Sequence, residues 1–482
     1  MKNKTQDTDP VTTEIIRNAL NSIAKEMNES LFRSAYTPII FEMKDCSVAI
    51  YDKDYQLLGQ SAGLPLFLGN LEVGIRLAAD YFGRDSFKPG DVYVLNDSYM
   101  VGTHLNDITV FAPIFHNNKL VGYSANRAHW LDIGSKDPGY PMDSTEIYQE
   151  GIRIPPLKII DNGKPREDVI DTLILNNRFH RAARGDLQAQ IAACNVGELR
   201  LNELLDRFGY QNFKASTGEI FENTEAIDRE KIAAIADGVY RDEGYLDNDG
   251  LSSDPIKVCV EVQIEGDEIT IDLEGSSPAV KGPVNCGFAQ TKSACRVAFK
   301  GLIDPDSPVN GGNFRNLKIK APKGTIFYAE EPTPCAWYFT PLGLLIDMIV
   351  NALSSELPNR AVAAHYGDSM VITFSGNDDG PFLNVEATAG GWGGYPGNDG
   401  ESALINAVNG DFHNLPIEVL EQKFPLQIHR YSIRRDSEGV GRFRGGCGVI
   451  REYEVLSDEA SLSLWFDRSK TPAWGIMGGE SA

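Results

Sequence analysis

Residues 102–132 read GTHLNDITVFAPIFHNNKLVGYSANRAHWLD. Two runs rich in Val, Ile, Tyr and Phe, Ile108 to Phe115 and Lys119 to Trp130, flank the polar turn His116-Asn117-Asn118-Lys119. Such runs across a two-residue turn predict a β-hairpin. Pairing outward from His116 with Lys119 sets His129 opposite Asn106, close to both His104 and Asp107. Strand alternation sends positions 104 and 107 to opposite faces, so residues 102–107 must leave regular strand geometry if both side chains meet His129. Gly102 makes that departure feasible.

Outward from the hairpin the pattern is mixed. Asp9 and Pro10 form an N-cap and first-turn proline, and Ile16, Leu20, Ile23, Met27 and Leu31 recur at helical spacing, predicting a long opening helix. Further strands are expected at Cys46 to Asp52 and Asp91 to Asn96, and a helix over Asp186 to Arg207. Alternation of Val258, Val260, Val262 and Ile264, a turn at Glu265-Gly266-Asp267, then Ile269, Ile271 and Leu273 predicts a second hairpin with one buried face. Thr340 and Pro341 read as the cap of an apolar helix to Leu353. Two glycine-dense stretches follow, Gly390 to Gly400 and Gly441 to Gly448, which fit tight turns beside a site but on glycine count read rather as loops between strands. The fold class expected is α+β: mixed, multi-layer and β-rich, with a long N-terminal helix and packed helices. The Asp, Asn, Gly and Ser run around Asp247 to Pro255 divides it into a metal-site half, 1–246, and a β-rich half, 247–482.

Bulk properties narrow the function. With 482 residues, 42% hydrophobic and 23% charged, the chain can bury a large core. A net charge of −23 repels phosphate backbones, and no Lys/Arg stripe interleaved with aromatics occurs, which argues against nucleic acid. The most apolar run, Leu342 to Leu353, is short and carries Asp347 and Asn351, so no membrane span is expected. The polar stretch Met1 to Pro10 lacks the apolar core of a signal peptide, which predicts a cytoplasmic protein. Seven scattered cysteines without a CxxC pair read as reduced thiols. There is no GxxxxGK[ST] loop, no GxGxxG after a strand and no GxSxG elbow, so no motif holds ATP or offers a serine nucleophile.

Imidazole and carboxylate are the usual nitrogen and oxygen ligands of zinc and manganese, which makes His104, Asp107 and His129 a candidate metal set. Asp45, at the approach to the first strand, could complete it, although spacing alone does not bring it there. The same residues also fit ordinary strand-end histidines with Asp45 and Asp107 capping turns, and HxxD with one distant His lacks the specificity of a four-cysteine site. Asp132, Glu146, Glu150 and Arg153 are charged neighbours that could orient ligands or substrate. Glu418 and Glu421 lie three apart, and a solvated helix face is expected for them.

Resemblance decides between these readings. Asn96-Asp97-Ser98-Tyr99, Gly102 to Asp107 and His129-Trp130-Leu131-Asp132-Ile133-Gly134 resemble the signature of the hydantoinase B and oxoprolinase family. So do Glu146-Ile147-Tyr148, Glu150 to Pro156, Asp304 to Gly312, Asn414 to Glu418 and Arg444 to Gly448, in order along the chain. The family includes subunits of N-methylhydantoinase, 5-oxoprolinase, caprolactamase and the acetone and acetophenone carboxylases. The resemblance implies metal ligands at His104, Asp107, His129 and Asp45, with Asp107 and His129 catalytic. It implies a divalent transition metal, zinc or manganese, and a hydantoinase A-type ATPase partner carrying ATP and magnesium in a hetero-oligomer.

The implied reaction is ATP-dependent ring opening of a small cyclic amide: a hydantoin, 5-oxoproline or a lactam. The partner would phosphorylate the amide oxygen, and this chain's metal would supply hydroxide. The alternative is the metal-binding subunit of an ATP-dependent ketone carboxylase of the acetone or acetophenone type. A scaffold with a structural metal ranks last, since mixed nitrogen and oxygen ligands leave positions open. The chain ends at Gly479-Glu480-Ser481-Ala482, where the family usually continues, so a C-terminal segment is expected to be missing or replaced.

Overall fold

The computed structural model describes residues 9–378 and 380–482. The polar opening stretch therefore lies outside the described residues except for Asp9 and Pro10. The first helix runs Pro10–Ser34, and the Asp9 carboxylate accepts from the Val11 and Thr12 amides, satisfying donors that a helix start leaves free. Ile16, Leu20, Ile23, Met27 and Leu31 form its buried stripe, as their spacing predicts.

That stripe covers one face of a seven-stranded antiparallel sheet. Its strands are β1 (Cys46–Asp52), β2 (Leu57–Gln60), β3 (Val92–Leu95), β4 (Asp107–His116), β5 (Lys119–His129), β6 (Leu157–Asp161) and β7 (Lys164–Pro165), in the order β2-β1-β5-β4-β3-β6-β7. The hairpin β4–β5 sits at the centre; the helix His180–Phe208 packs on it and against the first helix, which lies over β1 and β2. On the opposite face, Leu71, Ile75 and Ala78 of the helix Leu71–Phe82 pack against Tyr93, Phe111 and Tyr123. Both faces are covered, so β4 and β5 are buried along nearly their whole length.

The second sheet, order β11-β10-β9-β8, comprises β8 (Gly238–Leu246), β9 (Ile256–Glu265), β10 (Glu268–Asp272) and β11 (Leu317–Lys320). Glu268 pairs with Glu265 across the expected turn, and the alternating Val and Ile residues all face the core. The stretch 247–255 links β8 and β9 within this one sheet. Its core takes in Leu66, Tyr140, Ile232 and Ile235 from the first half of the chain. A third sheet joins β12 (Val371–Asn377), β13 (Pro381–Ala387) and β16 (Ala460–Trp465), and β14 (Leu426–Ile433) pairs with β15 (Val449–Val455). The fold is α+β. All seven cysteines are free thiols, and among the described residues no helix is long and apolar enough to cross a membrane.

Two local expectations are corrected. The apolar helix starts at Phe339, one residue before Thr340, and Pro341 falls within its first turn, where a missing N–H leaves nothing unpaired. Thr340 does not cap it: its hydroxyl donates to Asp368 Oδ1 at 3.1 Å and accepts from Trp465 Nε1 at 3.0 Å. The hairpin register also differs. His116 faces Lys119 and Phe115 faces Leu120, but the register then shifts and Ile114 faces Gly122, leaving Val121 as an extra residue. Beyond this β-bulge His129 lies opposite Asp107, not Asn106. Pro113 and Gly122, residue types that mark bulges in strands, sit beside it.

Leu20 is fully buried between the first helix and the sheet, so Leu20→Ala should lower the unfolding free energy by about 2–5 kcal/mol. Urea denaturation followed by circular dichroism measures this, and a change under about 0.5 kcal/mol would mean the stripe is not a core element.

Candidate metal centre

Asp107 opens β4 and His129 closes β5, and the bulged register sets them directly opposite each other. His104 comes from the loop that joins the short helix Ser98–Val101 to β4. Gly102 turns the chain there with a φ of 89°, and a Cβ at this position would lie 2.4 Å from the Gln290 amide nitrogen. Only glycine meets both demands. The loop leaves strand geometry as expected, and His104 swings back over Asp107.

Three donor atoms converge. His104 Nε2 lies 3.0 Å from Asp107 Oδ1 and 3.1 Å from His129 Nδ1, and His129 Nδ1 lies 3.1 Å from Asp107 Oδ1. All three residues are buried. Asp45 lines the same cavity, whose volume is about 40 Å³, though it is not one of the three mutually close donors. Its backbone carbonyl accepts from the His129 amide at 3.0 Å, which ties it to the end of β5. Sequence spacing gives no sign of this contact.

The surroundings fix the ring and the charges. His104 Nδ1 donates to the Ala336 carbonyl at 3.0 Å, leaving the Nε2 lone pair for the cavity. Tyr140 stacks on that ring at 5.1 Å. Tyr338 donates its hydroxyl to Asp107 Oδ2 at 3.2 Å. Burial opposes charge on Asp107, but the His104 and His129 imidazoles prevail and hold its carboxyl well below the usual range. Burial pushes His129 down, toward the neutral ring. Burial, then the nearby Asp107, pushes Asp45 well up.

These features fit a divalent metal. Asp45 Oδ1 is buried without a hydrogen-bond partner in a cavity it shares with the Asp107 carboxylate, where a bound cation would meet both. Two imidazole nitrogens and carboxylate oxygens are the donor types that zinc and manganese accept.

Of the other charged candidates, Glu150 bears on the centre and the rest do not. Its carboxylate accepts from the Cys335 and Ala336 amides at 3.0 Å and from the Ser144 hydroxyl at 2.7 Å, so it holds the peptide whose carbonyl orients His104. Asp132 pairs with Arg178 at 2.7 Å, and Arg153 bridges Asp97 and Glu331, each at 2.7 Å. Glu146 is exposed, as are Glu418 and Glu421 on the short helix Ile417–Lys423. Sequence reasoning misses Tyr140, Ala336 and Tyr338. The aromatic run Trp337 to Phe339 ahead of the apolar helix is their one visible trace.

The hydantoinase B/oxoprolinase family model matches residues 9–482, and the chain belongs to that family. The beta subunit of caprolactamase from Pseudomonas jessenii is 32% identical over 98% of this chain and 83% of its own. The crystal structure of the ATP-dependent caprolactamase from that organism superposes with a TM-score of 0.89 at 31% identity, covering 96% of this chain and 81% of that one. The B component of a putative D-/L-hydantoinase from Pseudomonas sp. (strain NS671) is 32% identical over 98% of this chain and 82% of its own. Nucleotide-free acetone carboxylase shares the fold, with a TM-score of 0.88 at 20% identity over 98% of this chain and 66% of that one.

Burial pushes the Glu150 carboxyl from its ordinary value near 4.5 up to about 7, against the pull of its three donors. The folded state therefore binds a proton that the unfolded state has released. This contribution to stability is complete below about pH 4.5 and is lost as pH rises through about 7, amounting to about 3 kcal/mol. Glu150→Gln keeps an accepting oxygen and cannot ionise. Its urea midpoint should fall less than that of the wild type between about pH 5 and pH 8, whereas equal falls would remove Glu150 as a titrating support of His104.

Proposed function

We propose that this chain is the metal-holding subunit of an ATP-dependent cyclic amide hydrolase that works with a separate ATPase subunit. The observation that carries the reading is the convergence of His104 Nε2, Asp107 Oδ1 and His129 Nδ1 at 3.0–3.1 Å in a cavity that Asp45 also lines. These three side chains would hold zinc or manganese, with Asp45 as the fourth ligand. An ion bound there supplies Lewis acidity and brings the pKa of water toward ~7, which makes a nucleophile available at neutral pH.

The protein's own groups prepare for this in distinct ways. Burial keeps His129 neutral, so its nitrogen lone pair is available, while Asp107 brings a full negative charge. Tyr338 occupies Asp107 Oδ2 and leaves Oδ1 to the cavity. The Ala336 carbonyl and Glu150 behind it prevent the His104 ring from rotating. Tyr140, Tyr338 and Phe339 line the cavity and limit solvent around the reacting carbon.

An unstrained amide resists water because resonance stabilises its carbonyl and nitrogen leaves poorly, and the sequence holds no phosphate-binding motif that could activate it. Activation by ATP on a partner supplies what this chain lacks. Relatives named as the B component of a hydantoinase and the beta component of a caprolactamase support that division, and together with relatives named 5-oxoprolinase they favour a hydantoin, 5-oxoproline or lactam ring as substrate. Ketone carboxylation is the weaker reading, because at 20% identity the acetone carboxylase likeness is one of fold.

The purified chain should carry roughly one divalent transition metal ion, and His104→Ala should lose most of it. Elemental analysis of both proteins decides this, and equal metal contents would contradict the ligand assignment.

With its ATPase partner, the chain should open a five- to seven-membered cyclic amide only while ATP is hydrolysed, and without bicarbonate. Asp107→Asn should abolish ring opening while some substrate-stimulated ATP turnover persists. Phosphate and organic products are followed with hydantoins, 5-oxoproline, caprolactam and simple ketones. Bicarbonate-dependent ketone carboxylation with every ring left intact would replace the hydrolase reading by the carboxylase one.

A further inference from the structure

Beyond the bulge the pairing of β4 with β5 is regular, so Thr109 lies opposite Arg127 just as Asp107 lies opposite His129. Residues two apart in a strand share a face, which puts the Thr109–Arg127 pair next to the candidate metal ligands. Arg127 is fully buried. Its Nε donates to Thr109 Oγ1 and its Nη1 to Asn70 Oδ1, each at 2.8 Å, while Nη2 has no hydrogen-bond partner. Both acceptors are neutral. The Phe67 ring, which lines the metal cavity, lies 5.6 Å from the guanidinium carbon.

A buried guanidinium is costly, and one held only by neutral acceptors keeps most of its field. Burial pushes Arg127 below its ordinary range, and the strongest influence opposing burial is the charge of Asp107. Glu72, the other carboxylate that acts on it, is engaged by Arg296 at 2.8 Å. Among the described residues that line the metal cavity there is no Lys or Arg, so no cation inside the cavity competes with that field. The charge is held in place from the far side as well. Asn70 Nδ2 donates to the Val101 carbonyl at 3.1 Å and to Gln290 Oε1, and Gln290 is the residue that Gly102 abuts where the chain turns toward His104.

A fixed positive charge beside a cation site has two effects of opposite sign. It repels the ion, and it strengthens the pull on an anion that approaches the ion, because both follow the same Coulomb law. Lost packing or lost hydrogen bonds would weaken the two kinds of binding together. We propose that Arg127 is a positioning residue of the metal centre: acting through its field and not by contact, it makes an ion held by His104, Asp107 and His129 selective for anionic partners. In the reaction read above, those partners are hydroxide and the amide in its phosphorylated, charged form, so the site takes the activated substrate in preference to the free neutral ring. This rests on the metal-holding reading of the site.

Cobalt(II) titrated into the metal-free chain and followed by its visible absorption gives the metal affinity, and azide titrated into the cobalt form gives the anion affinity. Arg127→Met keeps much of the side-chain bulk and removes the charge. It should bind cobalt about threefold or more tighter and azide about tenfold or more weaker, whereas Arg127→Lys, which keeps the charge, should hold azide within about threefold of the wild type. Should Arg127→Met fold poorly, Arg127→Gln, which can still donate to Asn70, should show the same opposite shifts. The wild-type cobalt form should itself bind azide with a Kd below about 50 mM, and no saturable binding up to about 200 mM would overturn the proposal. So would both constants weakening together, or neither changing, in the uncharged variants. Failure of the wild type to bind cobalt at all would remove the metal reading and this proposal with it, a result distinct from cobalt binding that ignores Arg127.

Discussion

The Asp107 carboxylate has no contact with solvent, and the surrounding structure is arranged to keep it charged. A lone buried anion is costly enough that it would take up a proton, so compensating groups must reach it from several elements. His129 approaches from the facing strand, His104 from the loop before β4, and the Tyr338 hydroxyl from the start of the apolar helix. Each approach has its own support. The bulge at Val121 sets His129 opposite, Gly102 turns His104 back, and Glu150 fixes the peptide that orients the His104 ring. Helices on both faces of the central sheet bury the whole arrangement.

That arrangement links the two halves of the chain. Ala336 and Tyr338 come from the second half and complete a centre whose three close donors all come from the first. The same helix that begins beside Tyr338 carries Asp347, which lies 3.5 Å from Arg468 of the second half.

Much of this is legible in the sequence because it rests on short-range pattern. The opening helix, the strands β1, β4 and β5, and the alternating hairpin β9–β10 follow from periodicity and turn chemistry, which act over a few residues. Counting from the turn puts the register one residue out because a bulge is a local choice between nearly equal pairings, and the signs of it, Pro113 and Gly122, also occur in regular strands. Thr340 and Pro341 resemble a cap because Thr-Pro suits a helix start, yet the threonine is drawn into a buried contact with Asp368. Tyr338 lies 231 positions from Asp107, and no spacing rule spans such a distance. Glu150 stands among four charged candidates that only the tertiary fold separates.

The claim on which the account rests is that His104, Asp107 and His129 bind one metal ion together. Anomalous diffraction from crystals of the purified chain, recorded on either side of the absorption edge of the metal it carries, tests this directly. The account predicts one strong peak in contact with His104 Nε2, Asp107 Oδ1 and His129 Nδ1, with Asp45 beside it. A metal-loaded crystal with its peak elsewhere and none among these three side chains would contradict it.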